Sequence, residues 1–96
     1  MNEEKRLESC KILASNLAVL RKSCGLTQGQ FAERIGVSRS TINSVERKKD
    51  MSWNVFVSSM AVLTLHPEAK KFISALDIDM DALDSYLSGD PEREAD

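Results

Sequence analysis

The chain is short of the residues that would commit it to metal, disulfide or membrane chemistry. It has one histidine, His66, and two cysteines, Cys10 and Cys24. That set is too small for a cysteine–histidine zinc site. If both cysteines lie on one helix, their separation puts them roughly 21 Å apart along its axis, beyond the reach of a disulfide. They read as small buried or half-buried apolar residues. Aromatic residues make up only 5%, with four glycines and two prolines, a composition that favours helices over a β-sandwich. No apolar run is long enough to cross a membrane. The opening MNEEKRLESCKIL lacks the unbroken apolar stretch of a signal peptide, so a cytoplasmic location is expected. Also missing are a nucleophile–base pair, a glycine-rich phosphate loop and a metal-ligand cluster. Neither an enzyme nor a cofactor is expected.

The chain has 96 residues, which suits one domain with one modest core. Its net charge of −2 hides an uneven distribution. Residues 1–76 carry 12 Lys and Arg against 7 Asp and Glu, a net of +5, whereas residues 77–96 carry one Arg against 8 acids, a net of −7. A basic body is followed by an acidic segment. Charges more than about 8–10 Å apart are screened at ordinary salt. The acidic segment therefore opposes non-specific attraction to phosphates without excluding a nucleic-acid-reading face.

Such a face is legible in TQGQFAERIGVSRSTINSVE, residues 27–46. Thr27 is a good N-cap, and Gln30 three positions on can complete a capping box. Phe31, Ala32 and Ile35 form an apolar stripe. Gly36 then fits a left-handed helix end, and Val37 plugs the turn. Ser38 caps a second helix whose inward residues are Ile42 and Val45. Its outward residues, Arg39, Ser40, Asn43, Ser44 and Arg47, are all polar and can bond to base edges or phosphates. A helix, a tight turn and a helix with a short polar outer face is the DNA-reading helix-turn-helix pattern.

The sequence resembles the phage repressor and Cro type (XRE-like) of helix-turn-helix regulators. The resemblance rests on Arg21, Leu26-Thr27-Gln28, Phe31-Ala32, Gly36-Val37-Ser38, Ile42 and Glu46, and extends more weakly over roughly residues 13 to 65. It implies an all-α, lambda-repressor-like helix-turn-helix domain of about five helices, with an extended N-terminal helix and extra C-terminal helices. It implies that the Arg39–Arg47 helix enters the major groove of double-stranded DNA, and that Gln28 touches the DNA backbone. Arg21 and Glu46 are expected to pair across the domain. Arg39 can bind guanine O6 and N7, and Asn43 adenine N6 and N7, each with two hydrogen bonds. Ser40 and Ser44 can bond to several bases. The basic run Arg47, Lys48, Lys49 either complements the helix dipole or follows the sugar-phosphate backbone. The glycine that the family carries after the glutamate is replaced here by Lys48.

Flanking segments are read from periodicity. Residues 3–23 form one long helix with Leu7, Cys10, Ala14, Leu17, Arg21 and Cys24 on a stripe that Leu13 and Leu20 widen. About ten residues precede the family's usual start near Leu13, as solvated or frayed helix or as a partner-binding surface. Asp50 or Ser52 starts a helix with core residues Trp53, Phe56, Met60 and Leu63, followed by Leu65. His66, a capping or surface residue, precedes Pro67 and a stripe of Ala69, Phe72, Ile73 and Leu76. Asp77 or Asp79 caps a last helix with Met80, Leu83, Tyr86 and Leu87, which Gly89 and Pro91 stop. The expected organisation is a DNA-binding domain over residues 1–65, C-terminal helices over 66–89 and a disordered acidic tail over 90–96. The C-terminal helices serve either as a homodimer or protein-partner surface or as packing against the chain's own helices. A dimer would suit a two-fold symmetric operator. The expected function is a transcriptional repressor, the alternative being an antitoxin-like adaptor that grips a protein through its terminal extensions.

Overall fold

A computed structural model describes residues 3–78 and 80–88. Those residues form six α-helices and no strand: α1 (Glu3–Ser23), α2 (Gln28–Ile35), α3 (Arg39–Lys48), α4 (Trp53–Leu63), α5 (Pro67–Ser74) and α6 (Met80–Ser88). The described residues are all-α, as expected, with α5 and α6 the extra C-terminal helices. Gly89, Pro91 and the acidic tail of residues 90–96 lie outside the described residues, as does Asp79.

Side-chain chemistry sets the helix ends. Thr27 Oγ1 accepts from the Gln30 N–H at 3.1 Å, and Gln30 Oε1 accepts from the Thr27 N–H at 2.9 Å, so the capping box is complete. Leu26 and Phe31 are both buried beside it. Gly36 stands at φ 77°, and the Val37 N–H returns to the Ala32 carbonyl at 3.0 Å, closing α2 in the left-handed geometry that glycine adopts most readily. Ser38 Oγ accepts from the Thr41 N–H to start α3. Ser52, not Asp50, starts α4 by accepting from the Val55 N–H. His66 occupies the N-cap position of α5 but makes no side-chain capping bond.

Among the described residues one core cluster runs from Cys10 to Leu83. Leu13, Leu17, Leu20, Phe31, Ile42, Phe56 and Leu63 are fully buried. Cys10, Ala69, Ile73, Ile78 and Leu83 extend the same cluster. The first ten residues of α1 are therefore not a frayed overhang. Ser9 and Cys10 are buried, and the Cys10 thiol is pushed up to about 11, first by burial and then by the Asp50 charge. Arg6 joins three helices: its guanidinium lies 4.7 Å from the Trp53 ring centroid and 5.6 Å from that of Tyr86. Trp53 stacks on Phe56 at 4.8 Å and meets the edge of Tyr86 at 5.6 Å.

Several residues assigned to apolar stripes stay outside this core. Leu7 (54% exposed), Leu65 (79%), Phe72 (42%), Met80 (41%) and Leu87 (61%) keep much of their surface in solvent. Arg6→Ala is expected to lower stability by about 1 kcal/mol. It should speed amide exchange in α6 while leaving α2 and α3 as they were. Equal acceleration throughout would mean that Arg6 supports the whole domain rather than the seating of α6.

Candidate nucleic-acid interface

Glu46, near the end of α3, organises the region around the turn. Arg21 Nε donates to Glu46 Oε2 at 2.7 Å, and Arg21 Nη2 to Oε1 at 3.1 Å, a bidentate pair whose side chains are only 8% and 10% exposed. Arg21 Nη1 donates to the Leu26 carbonyl at 2.9 Å. Gln28 Nε2 donates to Glu46 Oε1 at 3.0 Å. The end of α1, the start of α2 and the underside of α3 are thus joined through one carboxylate. Burial works to raise the Glu46 carboxyl, but hydrogen bonds from Arg21 and Gln28 and the Arg21 charge outweigh it and hold the group below its ordinary value.

The network holds α3 with Ile42 and Val45 inward. On the opposite side Arg39, Ser40, Asn43, Arg47, Lys48 and Lys49 are exposed and Ser44 is half-buried. Ser40 lies on a ridge with a depression on each flank. On the α2 side, Gln28, Arg39, Ser40 and Asn43 line one depression. The stem of Arg39 crosses the first turn of α2: its Cδ lies 3.9 Å from where a Cβ on Gly29 would stand. Ser40 Oγ and Ser38 Oγ are hydrogen-bonded at 3.0 Å. On the other flank, the ridge faces the α3–α4 loop. Sequence reasoning missed the Gln28–Glu46 bond and the part of Thr41, Asp50 and Met51 in this surface. No periodicity reports them, because their neighbours come from separate elements.

The loop itself departs from what Lys48 suggested. Lys48 is still helical, and the left-handed residue is Lys49, at φ 58° with its N–H bonded to the Val45 carbonyl at 2.8 Å. The helix runs one residue further, which carries the basic run to its very end. A side chain at positive φ is strained. Lys49→Gly is therefore expected to raise stability by about 1 kcal/mol in a urea melt.

The Arg21–Glu46 pair has a thermodynamic signature. Arg21→Met and Glu46→Met should each cost about 3 kcal/mol by stranding a charge, and the double variant much less than their sum. A coupling energy near zero would dismiss the pair. Because the folded state holds the Glu46 carboxyl low, its contribution is complete above the ordinary glutamate range. It is lost as pH falls through the lowered value. The stability gap between the unaltered protein and the double variant should therefore shrink in acid.

The described residues contain no helix long and apolar enough to cross a membrane. Residues 17–51 match the family model of the helix-turn-helix. No curated protein and no solved structure matches the chain. The matched segment runs from Leu17 to Met51 and takes in the Arg21–Glu46–Gln28 network, both capped helices and the polar ridge. Through it this segment is similar to the phage repressor and Cro type of DNA-binding helix-turn-helix regulators.

Proposed function

We propose that this protein is a sequence-specific transcriptional repressor of double-stranded DNA, acting in the cytoplasm by occupying a promoter. The reading is carried by one observation: α3 is pinned underside-down by Glu46, leaving a polar ridge outward on a helix of major-groove width. In this reading Arg39 takes guanine and Asn43 takes adenine, with Ser40 and Ser44 beside them. Arg47, Lys48 and Lys49 follow the phosphates, as does the remaining N–H of Gln28. A single helix reads only a few base pairs, so two copies bind half-sites of a two-fold operator. The half-exposed apolar residues of α5 and α6 supply the surface for that pairing. A second reading has one supporting observation. Met80 and Leu87 are exposed on one face of α6 beside the exposed Asp81 and Asp84, a surface suited to a basic protein partner.

Selection of bound duplexes from a random pool tests the first reading. The expected outcome is a two-fold symmetric motif in which Arg39→Ala and Asn43→Ala each relax defined positions, at about 1–3 kcal/mol of discrimination per contact. Lys48→Ala should weaken binding to all sequences alike and flatten the salt dependence. No enriched motif would count against DNA reading altogether.

A further inference from the structure

The Glu46 network orients α3 but does not reach the loop that follows it. That loop begins under strain. Lys49 stands at φ 58°, a backbone that a side chain holds only where its surroundings impose it. Residues 50–52 are tied down in turn. The Asp50 carboxylate accepts from the Met51 N–H at 2.9 Å, Met51 is buried, and Ser52 Oγ accepts from the Val55 N–H at 3.2 Å. Trp53, the first residue of α4, ends the stretch, and its ring is held from several sides. Phe56, fully buried, stacks on it at 4.8 Å, and Tyr86 meets it edge-on at 5.6 Å. The Arg6 guanidinium lies over the ring, 4.7 Å from its centroid. Cys10, one turn on from Arg6, feels both the Arg6 and the Asp50 charge, so the first half of α1 backs the loop. Arg6 and Trp53 both lie outside the segment that matches the helix-turn-helix model.

Only residues 50–52 separate Lys49 from Trp53, too short a chain to absorb a shift of the ring. A guanidinium over an aromatic face is a directional restraint on that ring. We propose that Arg6 is a positioning residue for the DNA backbone contact: by holding Trp53 it keeps Lys49 turned so that its ammonium meets a phosphate. The inference rests on the DNA-reading function and deepens it. Two restraints then divide the surface between them. Glu46 sets the ridge that reads bases, and Arg6 sets the turn that grips the backbone. Loss of Arg6 weakens binding to every sequence and leaves base preference intact, whereas a general loosening of the domain would blur both.

The test compares Arg6→Leu, which removes the cation over Trp53, with Lys5→Leu, which removes a neighbouring cation of the same helix. Folding is checked by circular dichroism. Affinity is measured over a series of salt concentrations for a motif selected from random duplexes and for an unrelated duplex. In Arg6→Leu both affinities should fall by about three- to tenfold, their ratio holding within about twofold, and the salt slope should drop by about one per bound copy. Lys5→Leu should change either affinity by less than about twofold. Trp53→Leu, which keeps every charge, should reproduce the Arg6→Leu loss, and the double variant should lose little more. Arg6→Lys, which keeps a cation over the ring, should bind nearly as the unaltered protein does. The proposal is overturned if Arg6→Leu and Lys5→Leu cost alike, as bulk charge would. It is also overturned if base preference falls with affinity, or if the Arg6→Leu and Trp53→Leu losses add in full. Failure to enrich any motif is a separate result, which would remove the DNA-reading function and the inference with it.

Discussion

Glu46 carries three hydrogen bonds on two oxygens, and the geometry of the DNA-facing surface follows from them. A nearly buried carboxylate is costly unless its charge is paired and its lone pairs are used. Arg21 and Gln28 meet both needs, and they come from α1 and the first position of α2. The rotation of α3 about its own axis is thereby coupled to two other helices. Hydrophobic burial of Ile42 and Val45 is non-directional and by itself fixes that rotation less sharply. A bidentate guanidinium tolerates far less, because both of its bonds lose alignment together. The ridge of Arg39, Ser40, Asn43 and Ser44 inherits that orientation.

Placing Cys10 of α1 and the last two helices in one core changes what the appended parts do. Cys10, Ile73, Ile78 and Leu83 belong to the cluster that also holds Ile42 and Phe56. Arg6 lies over Trp53, the first residue of α4, and over Tyr86 of α6. The long α1 is thus a strut with two working halves. Its second half ends at Arg21, which holds the reading helix, and its first half holds α6. Trp53 and Tyr86 also meet directly, so α6 and the start of α4 are joined through the two rings and the Arg6 guanidinium. Trp53 stands only a few residues after Lys49.

Local signals in the chain carried most of the fold. Thr27 with Gln30, Gly36, Ser38 and Leu26 with Phe31 act within one or two turns, and each does in the structure what its type and position imply. The outward placement of Arg39, Ser40 and Asn43 was legible for the same reason: it follows from the 3.6-residue period about Ile42 and Val45. Signals that need distant partners were not legible. Periodicity identifies an apolar face but not its cover, and Leu65, Phe72 and Met80, placed on or beside such faces, stand partly in water. The Arg6–Trp53–Tyr86 cluster draws on three helices spread over the chain, and no spacing rule connects them. Lys49 at positive φ was hidden because a lysine gives no warning of a left-handed backbone.

The opposed charges of the two ends act on DNA through distance rather than contact. Tyr86 meets Trp53 at 5.6 Å, and Trp53 follows Lys49 by a stretch of chain that spans at most about 14 Å when extended. Even at that limit Tyr86 of the acidic helix α6 lies within about three Debye lengths of the basic run at physiological salt. At that separation screening weakens its repulsion of a bound duplex, yet at low salt the same charges are felt in full. Non-specific attraction to phosphates grows under the same conditions. The acidic end therefore opposes loose phosphate binding most strongly where such binding is otherwise greatest. Base-edge contacts along the α3 ridge are short-ranged and are not weakened in the same way. Charge asymmetry along the chain thus favours reading over mere adhesion.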